Sequence, residues 1–366
     1  MSNLDKNFEV QELKSKNLKF YDPLMTKEMK LVNFLWANED YKYQRFPQKS
    51  KDLVMSLNPK LWLLQANTAG GQLRFKTDSS TVVIHAALEH TNAMSIMDLS
   101  SQMGFDIYVG DNAKDLKYYN TTRNKADEHE YQYPMFENYS KKMRYILINF
   151  PLYSDVKFLE IGLDPTAKIE PADDFTNEGK IVVYGTSITQ GGCCSRPGLN
   201  ITNYISRKLD MEVLNYGFSG NGFGEPEVID LISDFDDMRA FIIDYEANAG
   251  TNGKMELTLE KDISLIRKKH PELPIIVVSR IPYIFEDLNP VLNARRTKLR
   301  EFQRDLVKKF NDNGDQNVHF VDGSKFLDTD YYDCTVDTIH PNDVGFERIC
   351  KHYLKFIKEI LNINEI

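Results

Sequence analysis

A chain of 366 residues is too long for one average domain and comfortable for two. With 42% hydrophobic and 27% charged residues it can build an ordinary globular core. Its formal net charge of -9, spread along the chain, argues against the basic surface that nucleic acid requires. No apolar run approaches the ~18 residues of a membrane span. The start, Met1 to Val10, lacks the apolar stretch of a secretory signal. The expected location is therefore the cytoplasm, or outside the cell if a signal has been removed. The four cysteines, Cys193, Cys194, Cys334 and Cys350, have no C-x-x-C spacing and read as free thiols.

The first fifty residues carry little pattern and are expected to wrap around the segment after them. From Leu53 to Leu163 short alternating runs predict strands at Leu61–Leu64, Gln72–Phe75, Thr81–His85, Phe105–Tyr108 and Tyr145–Ile148. Gly70-Gly71, Asp78-Ser79-Ser80, Gly110-Asp111-Asn112 and Pro151 punctuate them. Short strands at this spacing predict an antiparallel sandwich. After Pro171 the rhythm changes. Apolar strands at Ile181–Tyr184, Glu212–Asn215, Ala240–Asp244, Pro274–Val278 and Val318–Val321 alternate with helical stretches, clearest at Leu257–Lys269, Asn289–Asn311 and Asp343–Leu361. That alternation predicts an α/β domain, a parallel sheet covered on both faces. The expected division is 1–172 for the sandwich and 173–366 for the α/β domain.

Ligands gather at the carboxyl ends of strands in such sheets. There, Tyr184-Gly185-Thr186-Ser187 ends a strand on a serine before a helix. Alone, a G-x-S turn is as well explained by turn and capping preferences. A serine hydroxyl is a poor nucleophile without an oriented base. The one suggestive histidine is in Asp337-Thr338-Ile339-His340-Pro341-Asn342, where Asp337 can hold Nδ1 and leave Nε2 for the serine. The bland alternative is that Asp337 or Asn342 only caps a turn. His85, His90, His129, His270, His319 and His352 have no comparable setting and read as structural or solvated. Loops after the second and third strands, Asn215 to Gly222 and Asp244 to Gly250, offer the Gly220 N–H and the Asn248 amide beside the Ser187 N–H as oxyanion donors. Arg280 either binds a substrate group or pairs with a carboxylate. Tyr108, Tyr283, Trp62 and Phe285 either line a sugar-sized cleft or pack as core.

These blocks, in this order, resemble the SGNH (GDSL-type) hydrolases: a serine after the first strand, an oxyanion glycine, an oxyanion asparagine and a late D-x-x-H. Gly104-Phe105-Asp106-Ile107-Tyr108 is similar to the G-x-D-x-Y signature of a subgroup with an N-terminal β-sandwich. The resemblance implies a flavodoxin-like α/β/α domain behind a jelly-roll-like sandwich, with no metal or organic cofactor. It also implies an esterase acting on a small acyl ester, acetyl foremost, of a carbohydrate or other small molecule. An acyltransferase with the same residues is the alternative, and an inactive carbohydrate-binding protein a remoter one. Two blocks depart from the pattern: Gly-Thr-Ser stands for Gly-Asp-Ser, and Glu246-Ala247-Asn248 for G-x-N-D.

Overall fold

The computed structural model describes residues 11–15, 17–40, 42–89, 94–125 and 127–363. His90 lies outside them. They divide into two units. The first comprises the described residues of Met1–Gln44, with Ala66–Asp174 and Arg196–Gly198; the second comprises Arg45–Gln65, Phe175–Ser195 and the described residues of Leu199–Ile366.

The first unit is built from strands β1 (Lys19–Tyr21), β2 (Lys30–Val32), β3 (Gln72–Thr77), β4 (Val82–Glu89), β5 (Asp106–Gly110), β6 (Lys117–Thr121), β7 (Glu130–Phe136), β8 (Arg144–Asn149), β9 (Asp155–Leu163) and β10 (Ile169–Pro171). Short helices α1 (Ala37–Asp40) and α4 (Leu99–Gln102) accompany them. One antiparallel sheet runs β1-β9-β4-β7; the other runs β10-β3-β8-β5-β6, with β2 also on β3. Side chains two apart share a strand face. Val82, Ile84, Ala86 and Leu88 of β4 and Leu159, Ile161 and Leu163 of β9 meet Leu73, Phe75, Ile107, Ile146 and Ile148 of the other sheet in one buried cluster. The sandwich is thus closed by two alternating faces.

In the second unit, helices α2 (Lys51–Leu57) and α3 (Pro59–Gln65) precede a five-stranded sheet. Its strands are β11 (Lys180–Gly185), β12 (Glu212–Gly217), β13 (Met238–Asp244), β14 (Ile275–Val278) and β15 (Val318–Val321). They are all parallel, in the order β12-β11-β13-β14-β15. This is the flavodoxin-like order, whose switch point lies between β11 and β13. Ile181 to Gly185 are buried without alternation, as expected of a strand covered on both faces. The connecting helices are α5 (Ser187–Gln190), α6 (Ile201–Leu209), α7 (Pro226–Ile232), α8 (Glu246–Ala249), α9 (Lys254–Lys269), α10 (Pro290–Asp312) and α11 (Asp343–Leu361).

One expected strand is corrected. Leu61–Leu64 lies in helix α3, not in the sandwich. Pro59 occupies its first position, where the missing N–H costs nothing. The Asn58 side chain accepts from the Lys60 N–H, and Leu61 and Gln65, four apart, turn inward. The run has no β-branched residue to favour a strand.

Candidate active site

The turn that carries Ser187 is held by close backbone approach. Gly185, the last residue of β11, has no room for a side chain: an added Cβ would lie 2.0 Å from Thr189 Oγ1 and 2.7 Å from the Asp244 carbonyl. Thr186 then caps α5 by accepting from the Ile188 N–H. Ser187 is the first residue of that helix and largely buried. Gly191, at φ +105°, ends the turn, and its N–H and that of Gly192 return to the Ser187 carbonyl. Only glycine takes such a φ without strain.

The histidine arrives from a loop held as firmly. Asp337 Oδ1 accepts the backbone N–H groups of Ile339 (3.1 Å) and His340 (2.7 Å). Its Oδ2 meets His340 Nδ1 at 2.7 Å. Thr338, between them, adopts a left-handed backbone, φ +74°, as the cost of this tight turn. The strand-like contacts Thr335↔Pro341 and Val336 N–H to His340 carbonyl close the loop behind them. Asn342 caps α11 through the Gly345 N–H, while Asp337 both holds its own turn and meets the imidazole. The structure brings Ser187 Oγ and His340 Nε2 to 2.9 Å, across 153 residues of chain. Burial pushes the Asp337 carboxyl up, but the N–H and imidazole of His340 outweigh it and hold the group below the usual carboxylate range. An ionised carboxylate on Nδ1 fixes the tautomer that leaves Nε2 as acceptor.

The loops that carry Gly220 and Asn248 are joined to each other and, through Gly222, to the end of β11. Gly220 occupies a turn at φ +67° and is exposed. Gly222, two residues on, lies against the Gly185 carbonyl, 2.4 Å from where its Cβ would be, and donates its N–H to Asn248 Oδ1 at 3.1 Å. That bond occupies the carbonyl end of the Asn248 amide and leaves Nδ2 as the donating end. The loop is braced by residues that sequence reasoning did not single out. Gln190 Oε1 accepts the Ser219 N–H, and Asn215 spans from the Thr189 carbonyl to the Gly217 N–H. Buried Arg45 donates to the carbonyls of Asn215 (3.3 Å) and Gly217 (2.6 Å) and lies over the Phe218 ring at 4.5 Å. Asn58 adds a contact to Asn221. Asn215 is a polar residue inside the apolar strand β12, two residues before Gly217, which is a readable signal. Arg45 stands in a stretch without pattern and offers none.

The other candidates have structural partners. Arg280 bonds Glu286, lies 3.4 Å from Glu246 and stacks on Tyr283 at 3.9 Å, which favours the carboxylate-pair reading. Tyr283 is buried. In the first unit Tyr108 is buried as well, and its hydroxyl accepts from Arg196 at 2.6 Å. Asp106, the acid of the same motif, accepts from Arg196 and from the Gly198 N–H, both at 2.8 Å. Of the histidines read as structural or solvated, His85 meets Glu160 and Glu130, and His352 meets Asp328. Cys193, Cys194, Cys334 and Cys350 form no disulfide. Among the described residues no helix is long and apolar enough to cross a membrane.

Comparison with known proteins places this architecture. Residues 178–358 match the model of the GDSL-like lipase/acylhydrolase family, and residues 18–169 match GxDLY, the N-terminus of SGNH-hydrolase-type esterases. The chain belongs to the SGNH (GDSL-type) hydrolase family, in the subgroup with the N-terminal G-x-D-x-Y domain. Among solved structures it is similar to one described as a GDSL-like lipase from Bacteroides ovatus, at 28% identity and TM-score 0.86, covering 95% of this chain and 99% of that one. A salicylyl-acyltransferase from a tetracycline biosynthetic pathway shares the fold at 18% identity and TM-score 0.78, covering 96% and 100%. So does an acetyl xylan esterase from Butyrivibrio proteoclasticus, at 12% identity and TM-score 0.58, covering 95% and 99%. Curated proteins give no sequence match.

Proposed function

We propose that this chain is a serine esterase that removes a small acyl group, acetyl foremost, from a carbohydrate or other small-molecule alcohol. The observation that carries the proposal is the continuous relay from Ser187 Oγ to His340 Nε2 (2.9 Å) and from His340 Nδ1 to Asp337 (2.7 Å). Ser187 Oγ attacks the ester carbonyl while His340 takes its proton, and Asp337 stabilises the imidazolium. The Ser187 and Gly220 N–H groups and Asn248 Nδ2 receive the oxyanion, each donor contributing ~3 kcal/mol where charge develops. His340 then protonates the departing alcohol, and a water activated by the same imidazole releases the acid. Transfer to a second alcohol uses the same residues. The shared fold with a salicylyl-acyltransferase keeps that reading in view, and an acceptor alcohol that diverts the acyl group from water would establish it.

The test is hydrolysis of p-nitrophenyl acetate, butyrate and octanoate by wild type and Ser187→Ala. Acetate should be fastest, and the substitution should lower kcat by about 10⁴-fold or more. Preference for octanoate would overturn the acetyl reading, and full activity in Ser187→Ala the nucleophile.

A further inference from the structure

The turn from Asp337 to His340 is held on one side by its own aspartate and on the other by a segment outside the Ser187–His340–Asp337 relay. Thr338 is β-branched yet stands at φ +74°, a backbone region such residues keep only where the surroundings impose it. The peptide unit that follows it is clamped at both ends. Its N–H, that of Ile339, donates to Asp337 Oδ1 at 3.1 Å. Its carbonyl, that of Thr338, accepts the Ile284 N–H at 3.1 Å. Thr338 itself is exposed, so main-chain bonds rather than side-chain packing fix this peptide.

Ile284 opens a short 3₁₀ turn, Ile284–Leu288, and one buried carboxylate sets where that turn sits. Glu286 Oε2 accepts the Tyr283 N–H and Arg280 Nη1, each at 3.2 Å, and its Oε1 accepts Arg280 Nη2. Arg280, two residues past β14, is fixed in turn. Its backbone N–H donates to Glu246 Oε2 at 2.9 Å, and its Nε lies 3.4 Å from Glu246 Oε1. A continuous path thus runs from the end of β14 through Arg280, Glu286 and Ile284 to Thr338. A guanidinium that meets both oxygens of a carboxylate sets direction as well as distance. Burying such a pair gains little stability over apolar side chains of the same size; a fixed geometry is what it supplies.

We infer that Glu286 is a positioning residue for His340: clasped by Arg280, it fixes the turn whose Ile284 N–H holds the Thr338 carbonyl, and so the place of the imidazole against Ser187. The inference rests on the esterase reading for the reaction that reports it. The test is kcat and KM on p-nitrophenyl acetate for Glu286→Gln and Ile284→Pro, each alone and combined with His340→Ala. Glu286→Gln keeps the size of the side chain and removes its charge. Ile284→Pro removes the N–H, leaves the ion pairs intact, and decides the matter should Glu286→Gln not fold. Proline is tolerated at the first position of a helical turn behind an extended residue, and Tyr283 is extended. Each variant should lower kcat about tenfold or more, since a misplacement of about 1 Å can cost 10²-fold, with KM within about twofold. In the His340→Ala background neither should lower the residual kcat by more than about twofold, because an effect exerted through the imidazole disappears with it. A general loss of structure would lower both backgrounds alike. Ile284→Pro with kcat within about twofold of wild type, a change in KM alone, or equal losses in both backgrounds would overturn the positioning role. No hydrolysis by the wild type would sink the esterase reading and this role with it, whereas an active wild type with unaffected variants overturns the role alone.

Discussion

Asp337 does two jobs with two oxygens: Oδ1 folds the turn through backbone N–H groups, and Oδ2 orients the imidazole. Asp337→Asn should keep the first and spoil the second, because an amide can donate to Nδ1 and stabilise the wrong tautomer. The expected loss in kcat on p-nitrophenyl acetate is about 10⁴-fold, with a melting temperature close to wild type. A loss below about tenfold would contradict the orienting role. Asp244, at the end of β13, behaves oppositely. Burial pushes its carboxyl up to about 7, against the hydrogen bond it accepts from the Tyr353 hydroxyl. An unfolded aspartate titrates near 4, so between about pH 4 and 7 the unfolded chain holds fewer protons at this position. Stability should therefore fall as pH rises through that window and level off above it. Asp244→Asn should flatten that part of the profile in urea midpoints measured from pH 4.5 to 8; an unchanged slope would show that the carboxyl ionises freely.

Elements differ in how plainly local sequence declares them. Strand β11, helix α11 and the D-x-x-H turn each carry their own signal, an apolar run, an amphipathic period and an Asx turn, so the pieces of the site are legible. Their meeting is not: the hydroxyl–imidazole contact joins residues 153 apart and depends on β-sheet order, which follows from the whole set of alternating strands and helices. Helix α3 misleads because a four-residue apolar run fits either period, and the proline before it is the better guide. Arg45 is illegible for another reason, since a buried arginine bound to carbonyls has no sequence pattern of its own. It holds the end of β12, the strand that leads into the Gly220 turn, so Arg45→Met should act on the oxyanion donors rather than on substrate contact. We expect kcat to drop about tenfold, a fraction of what loss of a whole donor costs, with KM within about twofold. An effect confined to KM would argue for a substrate contact instead.

At the scale of the whole molecule, the two units follow from two hydrophobic rhythms, period two before residue 165 and alternating strand and helix after it. What composition could not foresee is that Arg45–Gln65 joins the second unit and Arg196–Gly198 the first. Both exchanges carry specific polar contacts: Arg45 on the carbonyls of Asn215 and Gly217, and Asp106 on Arg196 and Gly198. Asp106 and Tyr108 of the G-x-D-x-Y motif thereby acquire a physical reason in the first unit that needs no ligand.

The central claim is that Ser187 is a serine activated by His340, and covalent labelling tests it most directly. Intact mass and peptide mapping after treatment with a fluorophosphonate should show one adduct, on Ser187, at neutral pH. The adduct should be absent in Ser187→Ala and slowed by at least 10³-fold in His340→Ala, whose hydroxyl has lost its base. No adduct on the wild type, or equal labelling in His340→Ala, would contradict the account.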